Sequence, residues 1–359
     1  MFSSFWHRVA PIALAVPLLA QPKFTPQTIA GDLRGGYQVV VADLNHDGKP
    51  DLIALASGLH DLLWFEAPDW KRHVLATGQN RMINCAVIGD EIVLASEFQN
   101  EAKNSIGLVS VLRPSADVRE PWTATEIDRL PTSHRLRVAD LFHNGHPVVI
   151  NAALTAPDSG GPDYRGQTPL VYYVPGEWKR KVISMENTGV VHGIFVTAGN
   201  CLLTASFTGI HRFCAAKDGT FSRTEIAKGD PAPWPKSGSS DIAVGHLGKT
   251  EFLAAIEPWH GNQVVVYTGG QREVIDTTLL DGHTIQTGDF DGDGKDEIVA
   301  GFRGQPHHLY LYRHDGKQWV RSEIDGDMAA ASCAVADLNG DRKPDIACID
   351  AARLRVYLQ

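Results

Sequence analysis

The sequence predicts an all-β fold, a seven-bladed β-propeller of four-stranded antiparallel blades. Seven short segments share one pattern, in which a polar or basic start is followed by Val, Leu or Ile and a polar turn. Seven repeats of four short strands are typical of a propeller. The first segment lies near the N-terminus, whereas the C-terminus stops at a strand, so we expect the N-terminal strand to complete the last blade. The segments occupy residues 24–32, 70–78, 122–130, 178–186, 221–229, 271–279 and 319–327.

Each repeat has the same order of predicted strands, named a to d from the propeller axis outward. An alternating or apolar strand comes first, as in residues 37–44, and a tight turn leads to an apolar second strand, as in 51–57. The third strand is rich in aromatic and β-branched residues, as in 62–66, and the shared segment is the fourth. Period-two alternation between Gly- and Asp-containing turns indicates strands, and no helical period is sustained.

The first twenty residues predict a secretory signal peptide and not part of the fold. Arg8 precedes the apolar run 9–20, and Ala20 is a plausible cleavage site. The run is too short for a membrane span, and no other apolar run reaches that length. Residues 21–359 are therefore expected to form one propeller domain in a secreted or periplasmic protein.

The net charge limits the classes of binding partner, and the cysteines suggest disulfides. The net charge is -9 and no basic block is present, which argues against a nucleic-acid partner. An exported chain permits disulfides, and Cys333 and Cys348 flank a turn symmetrically. Cys201 and Cys214 form a weaker candidate pair, and Cys85 is left over. Burial of all five as small apolar side chains is the alternative.

Three turns between strands a and b carry oxygen-bearing side chains at positions 1, 3, 5 and 9. This spacing suits a hard cation such as Ca²⁺, although position 12 lacks the bidentate Glu of an EF-hand. A solvated, Asx-rich hairpin turn is the alternative. The predicted structural calcium ligands are Asp43, Asn45, Asp47 and Asp51, then Asp289, Asp291, Asp293 and Glu297, then Asp337, Asn339, Asp341 and Asp345. The repeated acidic turn between strands resembles the FG-GAP/VCBS propeller repeats, a resemblance that implies a fold and not a reaction.

Three histidines fall at one position of the repeat. His134, His192 and His283 each lie six residues before the same point of the a strand, where the other repeats have Tyr37, Met82, Ser240 and Ala331. This position is the start of the innermost strand, so we expect the three imidazoles to meet at one opening of the axis, called the mouth below. Neutral imidazoles there could hold Zn²⁺, or Mn²⁺ or Mg²⁺, or act as general bases. A single such histidine would more often be a packed core residue.

The b-to-c and d-to-a connections open at the same mouth and supply further candidates. Long loops on one face of a rigid scaffold are a common location of function. Tryptophan faces suit the apolar C–H surface of a sugar, with blade-edge packing as the alternative. The candidate substrate-binding residues are Arg303, Trp259, Trp234, Glu97 and His60.

Residues 238–247 and 256–264, which read GSSDIAVGHL and IEPWHGNQV, resemble the propeller domain of the aldos-2-ulose dehydratase family. The resemblance implies dehydration of a 2-keto pyranose such as 1,5-anhydrofructose, a small carbohydrate substrate. The large form of that family also has cupin and lectin-like domains, which this sequence lacks, so a cupin-dependent second step is not expected.

That chemistry assigns roles to the candidate residues. A metal on His134, His192 and His283 would polarise the ketone while a base removes the α-proton. His260 is the first choice of base and Glu257 the second. Tyr164 or His307 would protonate the departing hydroxide, and Arg303 would hold ring oxygens.

Two other functions remain open on the sequence alone. A non-catalytic propeller of FG-GAP type could bind glycans or proteins, and the same mouth could hydrolyse a glycosidic or ester bond. A binding module has no need for three imidazoles at one level of the axis, which favours a carbon–oxygen lyase. The sequence leaves the protein partner, the sugar and the oligomeric state open.

Overall fold

The computed structural model describes residues 21–359, so the predicted signal peptide lies outside the described residues. Seven four-stranded antiparallel sheets form the blades, and a single 3₁₀ turn, Ala102–Asn104, is the one helical element in this range. Blade 1 contains β2 (Gly36–Ala42), β3 (Asp51–Ala56), β4 (Leu62–Glu66) and β5 (Lys71–Ala76). Blade 2 contains β6 (Asn84–Ile88), β7 (Glu91–Ser96), β8 (Leu108–Arg113) and β9 (Thr123–Arg129). Blade 3 contains β10 (Ser133–Ala139), β11 (Val148–Ala153), β12 (Gln167–Tyr173) and β13 (Arg180–Thr188).

The remaining blades follow the same order. Blade 4 contains β14 (Val191–Val196), β15 (Leu202–Ser206), β16 (Gly209–Ala215) and β17 (Phe221–Ala227). Blade 5 contains β18 (Asp241–Leu247), β19 (Thr250–Glu257), β20 (Gln263–Thr268) and β21 (Gln271–Asp276). Blade 6 contains β22 (Gly282–Gly288), β23 (Glu297–Phe302), β24 (Leu309–His314) and β25 (Trp319–Asp325). Blade 7 contains β26 (Ser332–Ala336), β27 (Asp345–Ile349), β28 (Leu354–Leu358) and β1 (Thr25–Ala30).

The N-terminal strand closes the ring, as the sequence predicts. Strand β1 pairs antiparallel with β28, with Thr25 opposite Leu358, so blade 7 takes its outer strand from the start of the chain. The innermost strands β2, β6, β10, β14, β18, β22 and β26 contact one another in sequence around the axis. No helix in residues 21–359 is long and apolar enough to cross a membrane.

The core lies between neighbouring blades, where the apolar faces of successive sheets pack together. The b strands are buried along most of their length, and β3 and β23 are buried throughout. Because both faces of such a strand meet another blade, its sequence is a continuous apolar run and does not alternate. Two disulfides, Cys201–Cys214 and Cys333–Cys348, link adjacent strands within blades 4 and 7, and Cys85 is buried and free.

A recurring ion pair joins three pairs of blades. In each case an Asp in an outer strand accepts hydrogen bonds from a Tyr and an Arg of the next blade. Asp276 of β21, for example, accepts from the hydroxyl of Tyr312 at 2.8 Å and from Arg321 at 2.7 Å. The other two sets are Asp128 with Tyr173 and Arg180, and Asp325 with Tyr357 and Arg355. These bonds explain why the sequence Ile-Asp recurs in the fourth segment of the repeat.

Replacement of Asp276 by Asn is expected to lower the free energy of unfolding by about 2 kcal/mol at pH 7, because two buried hydrogen bonds lose a charged acceptor. Burial opposes ionisation of Asp276, but hydrogen bonds from Thr278, Tyr312 and Arg321 lower its pKa below the ordinary value. The stabilisation that ionised Asp276 gives the folded state is therefore present above the pKa of an unfolded Asp. It is lost as the pH falls through the pKa of Asp276 in the folded protein. Urea unfolding of wild type and Asp276→Asn at pH 7 and pH 3 measures both effects, and the exposed Asp69→Asn is the control. An equal loss in free energy of unfolding at both pH values would contradict the assignment.

Candidate active site at the axial mouth

Four inner strands begin with a β-bulge, and each bulged residue has its side chain near the axis. The bulges fall at Tyr37 in β2, His134 in β10, His192 in β14 and His283 in β22. A bulged residue leaves the regular alternation of the strand, so its side chain can be re-aimed. The three predicted histidines therefore do meet: their rings neighbour one another, with centroids 5.0 Å apart for His134 and His192 and for His192 and His283.

A fourth imidazole completes the cluster from a b-to-c loop. His260 follows strand β19, and its backbone has a φ of 50°, in the left-handed region. Its ring centroid lies 4.9 Å from that of His192 and 5.1 Å from that of His283. The Nε2 atoms of His260 and His192 are 3.2 Å apart. His192, His260 and His283 each offer a nitrogen, and these nitrogens lie within 4.8 Å of one another; we call these residues the histidine trio.

Each member of the trio has a partner for its outer nitrogen. Nδ1 of His192 lies 3.2 Å from the carbonyl oxygen of Ser240, and Nδ1 of His283 lies 2.5 Å from that of Ala331. The carbonyl acceptors favour a proton on Nδ1 of His192 and of His283, which leaves their Nε2 lone pairs facing inward. Nδ1 of His260 lies 3.1 Å both from the Asp281 carboxylate and from Nη2 of Arg303. The same arrangement of outer acceptors is found around metal-bound histidines.

The Nε2 atoms of His260 and His192, 3.2 Å apart, are compatible with a hydrogen bond between two neutral rings or with a cation that both rings bind. Burial lowers the pKa of His192 and His283 well below the ordinary value of histidine, and the charge of Arg135 lowers both further. Burial also lowers the pKa of His260, although Asp281 opposes this shift. These shifts favour the neutral form of all three rings, the form in which an imidazole can be a metal ligand. A borderline divalent cation fits these donors, because three neutral imidazoles with one open side are a known zinc arrangement.

His134 has a different role from the one predicted. Its Nε2 lies 2.8 Å from the hydroxyl of Tyr37 and 3.3 Å from Nη1 of Arg135, so it is already hydrogen-bonded. The Tyr37 hydroxyl is also 3.4 Å from Nε2 of His283. The geometry thus replaces His134 by His260 in the set of candidate metal ligands, and it makes Tyr37 and His134 a hydrogen-bonded pair at the edge of the trio.

Residues 106–270 match the family described as the β-propeller domain of aldos-2-ulose dehydratase. Residues 35–62 and 289–348 match FG-GAP repeats. Aldos-2-ulose dehydratase from Phanerodontia chrysosporium is 23% identical over 79% of this chain. The resemblance to the aldos-2-ulose dehydratase propeller is confirmed. The chain spans 38% of the length of that relative, and the similarity supports a carbohydrate-related role without fixing the reaction.

Other comparisons concern the fold or a short segment. Virginiamycin B lyase from Staphylococcus aureus has 11% sequence identity and a TM-score of 0.63, with 94% of this chain and 100% of that chain covered. The extracellular domain of BT4673 from B. thetaiotaomicron has a TM-score of 0.58, with 93% of this chain and 40% of that chain covered, at 12% identity. Integrin alpha pat-2 from Caenorhabditis elegans is 44% identical over 73 residues, which are 18% of this chain and 6% of that protein.

Glu257, the second predicted base, does not reach the mouth. Its buried carboxylate accepts from the hydroxyl of Tyr267 at 2.6 Å and from Arg272 at 2.7 Å. These contacts repeat the Asp–Tyr–Arg set of the other blades. In blade 4 the corresponding Asp position is Ala227, and Glu257 of blade 5 supplies the carboxylate instead. Glu257 is therefore a structural residue, and its assignment as a base is wrong.

The two predicted acids also lie away from the trio. The Tyr164 ring packs edge-on against Trp259, with centroids 5.5 Å apart, and its hydroxyl faces the segment at Gly161. His307 places Nδ1 2.9 Å from the carbonyl oxygen of Gly304 and Nε2 next to Gln305. Neither residue contacts the trio, so the Tyr37 hydroxyl is the better-placed proton donor.

Two of the predicted substrate-binding residues, His60 and Glu97, belong to one hydrogen-bonded network. Nδ1 of His60 lies 2.7 Å from Asn80, which in turn donates to Glu97 at 2.9 Å, and Glu97 also pairs with Arg81. A cavity of 250 Å³ borders this network and includes Phe98, whose ring packs on His134. A cavity of 610 Å³ lies at the acidic turns at the other end of the blades, and no imidazole lines it.

Trp259 and Trp234 belong to an aromatic group on the rim of the mouth. The Trp259 ring packs 4.7 Å from His260 and 5.4 Å from Phe207, and Trp234 packs 5.0 Å from Phe207. Arg303 bonds the Asp281 carboxylate at 3.0 and 3.1 Å and thereby fixes it beside His260. Arg303 is thus a positioning residue in this structure.

Sequence reasoning missed Tyr37, Asp281 and Arg135 as site residues. Tyr37 was detectable, because it occupies the shared position of the three histidines. Asp281 has a φ of 62° two residues before His283, and no repeat pattern marks it. Arg135 follows His134 directly, and in a regular strand two consecutive side chains would point to opposite faces. The bulge at His134 allows both side chains to reach the axis.

The predicted calcium turns differ from one another. In the second turn, carboxylate oxygens of Asp289, Asp291 and Glu297 lie within 4.8 Å of one another, and one Asp291 oxygen is buried without a hydrogen-bond partner. Burial and the charge of Asp291 raise the pKa of Glu297 to about 8. Glu297 is buried and accepts one backbone N–H, from Phe290. In the first and third turns the corresponding Asp51 and Asp345 are also buried, and each accepts backbone N–H groups on both carboxylate oxygens.

Proposed function

We propose that this propeller is an exported carbon–oxygen lyase that removes water from a keto sugar, such as a 2-keto pyranose or 1,5-anhydrofructose. The observation that supports the proposal best is the histidine trio, in which three imidazoles bring nitrogens within 4.8 Å of one another at the propeller axis. The similarity to aldos-2-ulose dehydratase supplies the reaction class.

His192, His260 and His283 would hold a divalent ion, with Zn²⁺, Mn²⁺ or Mg²⁺ as candidates. Such an ion would polarise the substrate carbonyl and stabilise the enolate charge that develops when the α-proton leaves. Contacts of Asp281, Ser240 and Ala331 with the Nδ1 atoms keep the three rings oriented.

Tyr37 and His134 form the one hydrogen-bonded acid–base pair of the described residues that borders the trio. In the proposed step, the pair takes the proton from the carbon α to the ketone, and the C–O bond at the β-carbon breaks. The pair then returns a proton to the departing hydroxide. The products are an enone and one water molecule, so atoms and charge balance. One pair can serve both transfers when the proton and the hydroxyl leave from the same face of the sugar ring.

A glycan- or protein-binding propeller of FG-GAP type is the second candidate. The matches to FG-GAP repeats and the 73-residue similarity to an integrin α chain favour it. The matched repeats contain the a-to-b turns, at the opposite end of the blades from the histidine trio. Both functions are therefore compatible with one chain.

We also propose that the second acidic turn binds calcium through Asp289, Asp291 and Glu297. Three converging carboxylates repel one another, and a hard cation would remove that repulsion. Addition of CaCl₂ to EGTA-treated protein is expected to raise the midpoint of thermal unfolding by several degrees, about the effect of 1–2 kcal/mol. Asp291→Asn should lose most of this gain, whereas Asp69→Asn should keep it; an identical gain in both variants would exclude this site.

The experiment that tests the lyase proposal is a UV assay for enone formation. Purified protein is incubated with 1,5-anhydrofructose in the presence of Zn²⁺, Mn²⁺ or Mg²⁺, and an increase in enone absorbance above that of a boiled control supports the proposal. An absence of enone from this and other 2-keto pyranoses, combined with saturable glycan binding, would favour the binding module.

A further inference from the structure

Arg135 is a buried cation without an anionic partner. Its side chain is 4% exposed, and no carboxylate oxygen of residues 21–359 lies within 4.0 Å of its guanidinium. Its hydrogen-bond neighbours are the Tyr37 hydroxyl at 3.5 Å and Nε2 of His134 at 3.3 Å, and neither is a carboxylate. An arginine cannot discharge itself by losing a proton, and an unpaired buried charge is costly. Such a site is consistent with an anion supplied by a ligand.

The charges around the axis also leave an excess of positive charge. Arg135 and Arg137 lie on the same inner strand, and the acidic side chain whose charge acts on both is Asp241. Burial raises the pKa of Asp241, whereas the charges of Arg135 and Arg137 oppose that shift. Even when ionised, Asp241 supplies one negative charge for two guanidinium groups. Arg303 is already paired with Asp281. A cation on the histidine trio would add to the excess, so the ligand that complements this site carries negative charge.

We propose that the sugar bound at the mouth is a sugar acid, and that Arg135 binds its carboxylate. The planar guanidinium matches a carboxylate through two parallel hydrogen bonds. A single guanidinium balances the one negative charge of a carboxylate better than the two of a phosphate. Residues 21–359 also contain no α-helix whose N-terminus could help to bind a phosphate. The position of Arg135 next to Tyr37 and His134 would hold the carbon chain of the substrate beside the histidine trio.

This inference rests on the mouth being the substrate site of the proposed lyase, but its test requires no turnover. Isothermal titration calorimetry compares D-glucuronate with D-glucose, which differ in a carboxylate against a CH₂OH group. The wild-type protein loaded with Zn²⁺ is expected to bind glucuronate about 10- to 100-fold more tightly than glucose, the range given by one charge-assisted pair. Equal binding of the two sugars, or no glucuronate binding at millimolar concentration, would overturn the proposal.

Variants of Arg135 assign the effect to this residue. Arg135→Gln should abolish the preference for glucuronate, Arg135→Lys should retain part of it, and the exposed Arg212→Gln should leave it unchanged. Circular dichroism establishes whether each variant is folded. If Arg135→Gln is unfolded, the glucuronate preference of Arg135→Lys tests the assignment instead. A glucuronate preference that survives in folded Arg135→Gln would contradict the assignment. Loss of the preference in both Arg135→Lys and Arg212→Gln would contradict it as well.

The two proposals can fail separately. A glucuronate preference that depends on Arg135, without enone formation from any keto sugar, would refute the lyase proposal and leave the anion site standing. Enone formation from neutral 1,5-anhydrofructose at the same kcat/KM in wild type and Arg135→Gln would refute the anion site and leave the lyase.

Discussion

His192→Ala is expected to abolish enone formation while the propeller remains folded. His192 is the central member of the trio, because its ring neighbours those of His134, His260 and His283. Its removal leaves two imidazoles, which would hold a divalent ion poorly. Loss of several kcal/mol of transition-state stabilisation corresponds to a fall in kcat/KM of about 10³-fold or more.

The control for this variant is His146→Ala. His146 is exposed in the a-to-b turn of blade 3, at the other end of the blade from the trio, and its ring has no part in the proposed site. Thermal unfolding of both variants separates loss of chemistry from loss of fold. Unchanged turnover in a folded His192→Ala protein would remove the trio from the mechanism.

Tyr37→Phe is expected to lower kcat by about 10²- to 10⁴-fold, the usual contribution of a general acid–base group. The substitution removes one oxygen and leaves the ring contacts with His134 and His283 in place. Because the hydroxyl is not among the candidate ligands, the variant should retain the metal and bind the substrate with little change in KM. This combination distinguishes a proton-transfer residue from a ligand.

Tyr172→Phe provides the matched control for Tyr37→Phe. Tyr172 lies in strand β12, and its ring packs against Phe142 and Phe221, away from the mouth. Its loss should leave kcat within twofold of wild type. If Tyr37→Phe were equally harmless, or if it lost the metal together with the activity, the Tyr37–His134 pair would not be the proton-transfer group.

Most of the fold was predictable from the sequence because the repeat appears at several levels. In three blades the outer strand carries the Ile-Asp pattern. In the structure the Asp residues of this pattern, Asp128, Asp276 and Asp325, join neighbouring blades by hydrogen bonds. The closure by strand β1 follows from a chain that begins with an outer strand. Both cysteine pairs were also identifiable, since each spans a turn between adjacent strands.

The site was predictable only in part, because spacing along the chain places a residue in its strand without fixing its direction. The shared register of His134, His192 and His283 correctly predicts that they meet. It does not reveal the bulges, and it therefore does not show that His134 turns toward Tyr37 while His260 enters from a loop to join His192 and His283.

Glu257 shows a second limit of the sequence. A carboxylate beside Trp259 and His260 resembles a catalytic base, but its role depends on Ala227, thirty residues earlier, which occupies the position of the missing inter-blade Asp. The partners of Glu257, Tyr267 and Arg272, are identified only once the blades are assembled. Substitutions within a repeat can thus be compensated from another strand.

Elemental analysis of the purified protein tests the central claim most directly. Protein purified without chelator and dialysed against metal-free buffer is measured for zinc, manganese, magnesium and calcium, in wild type and in His192→Ala. One equivalent per chain of a zinc, manganese or magnesium ion in wild type, absent from the variant, is the predicted result. Calcium alone in wild type, or a full equivalent of the other ion retained in His192→Ala, would contradict a metal-supported site at the axial mouth.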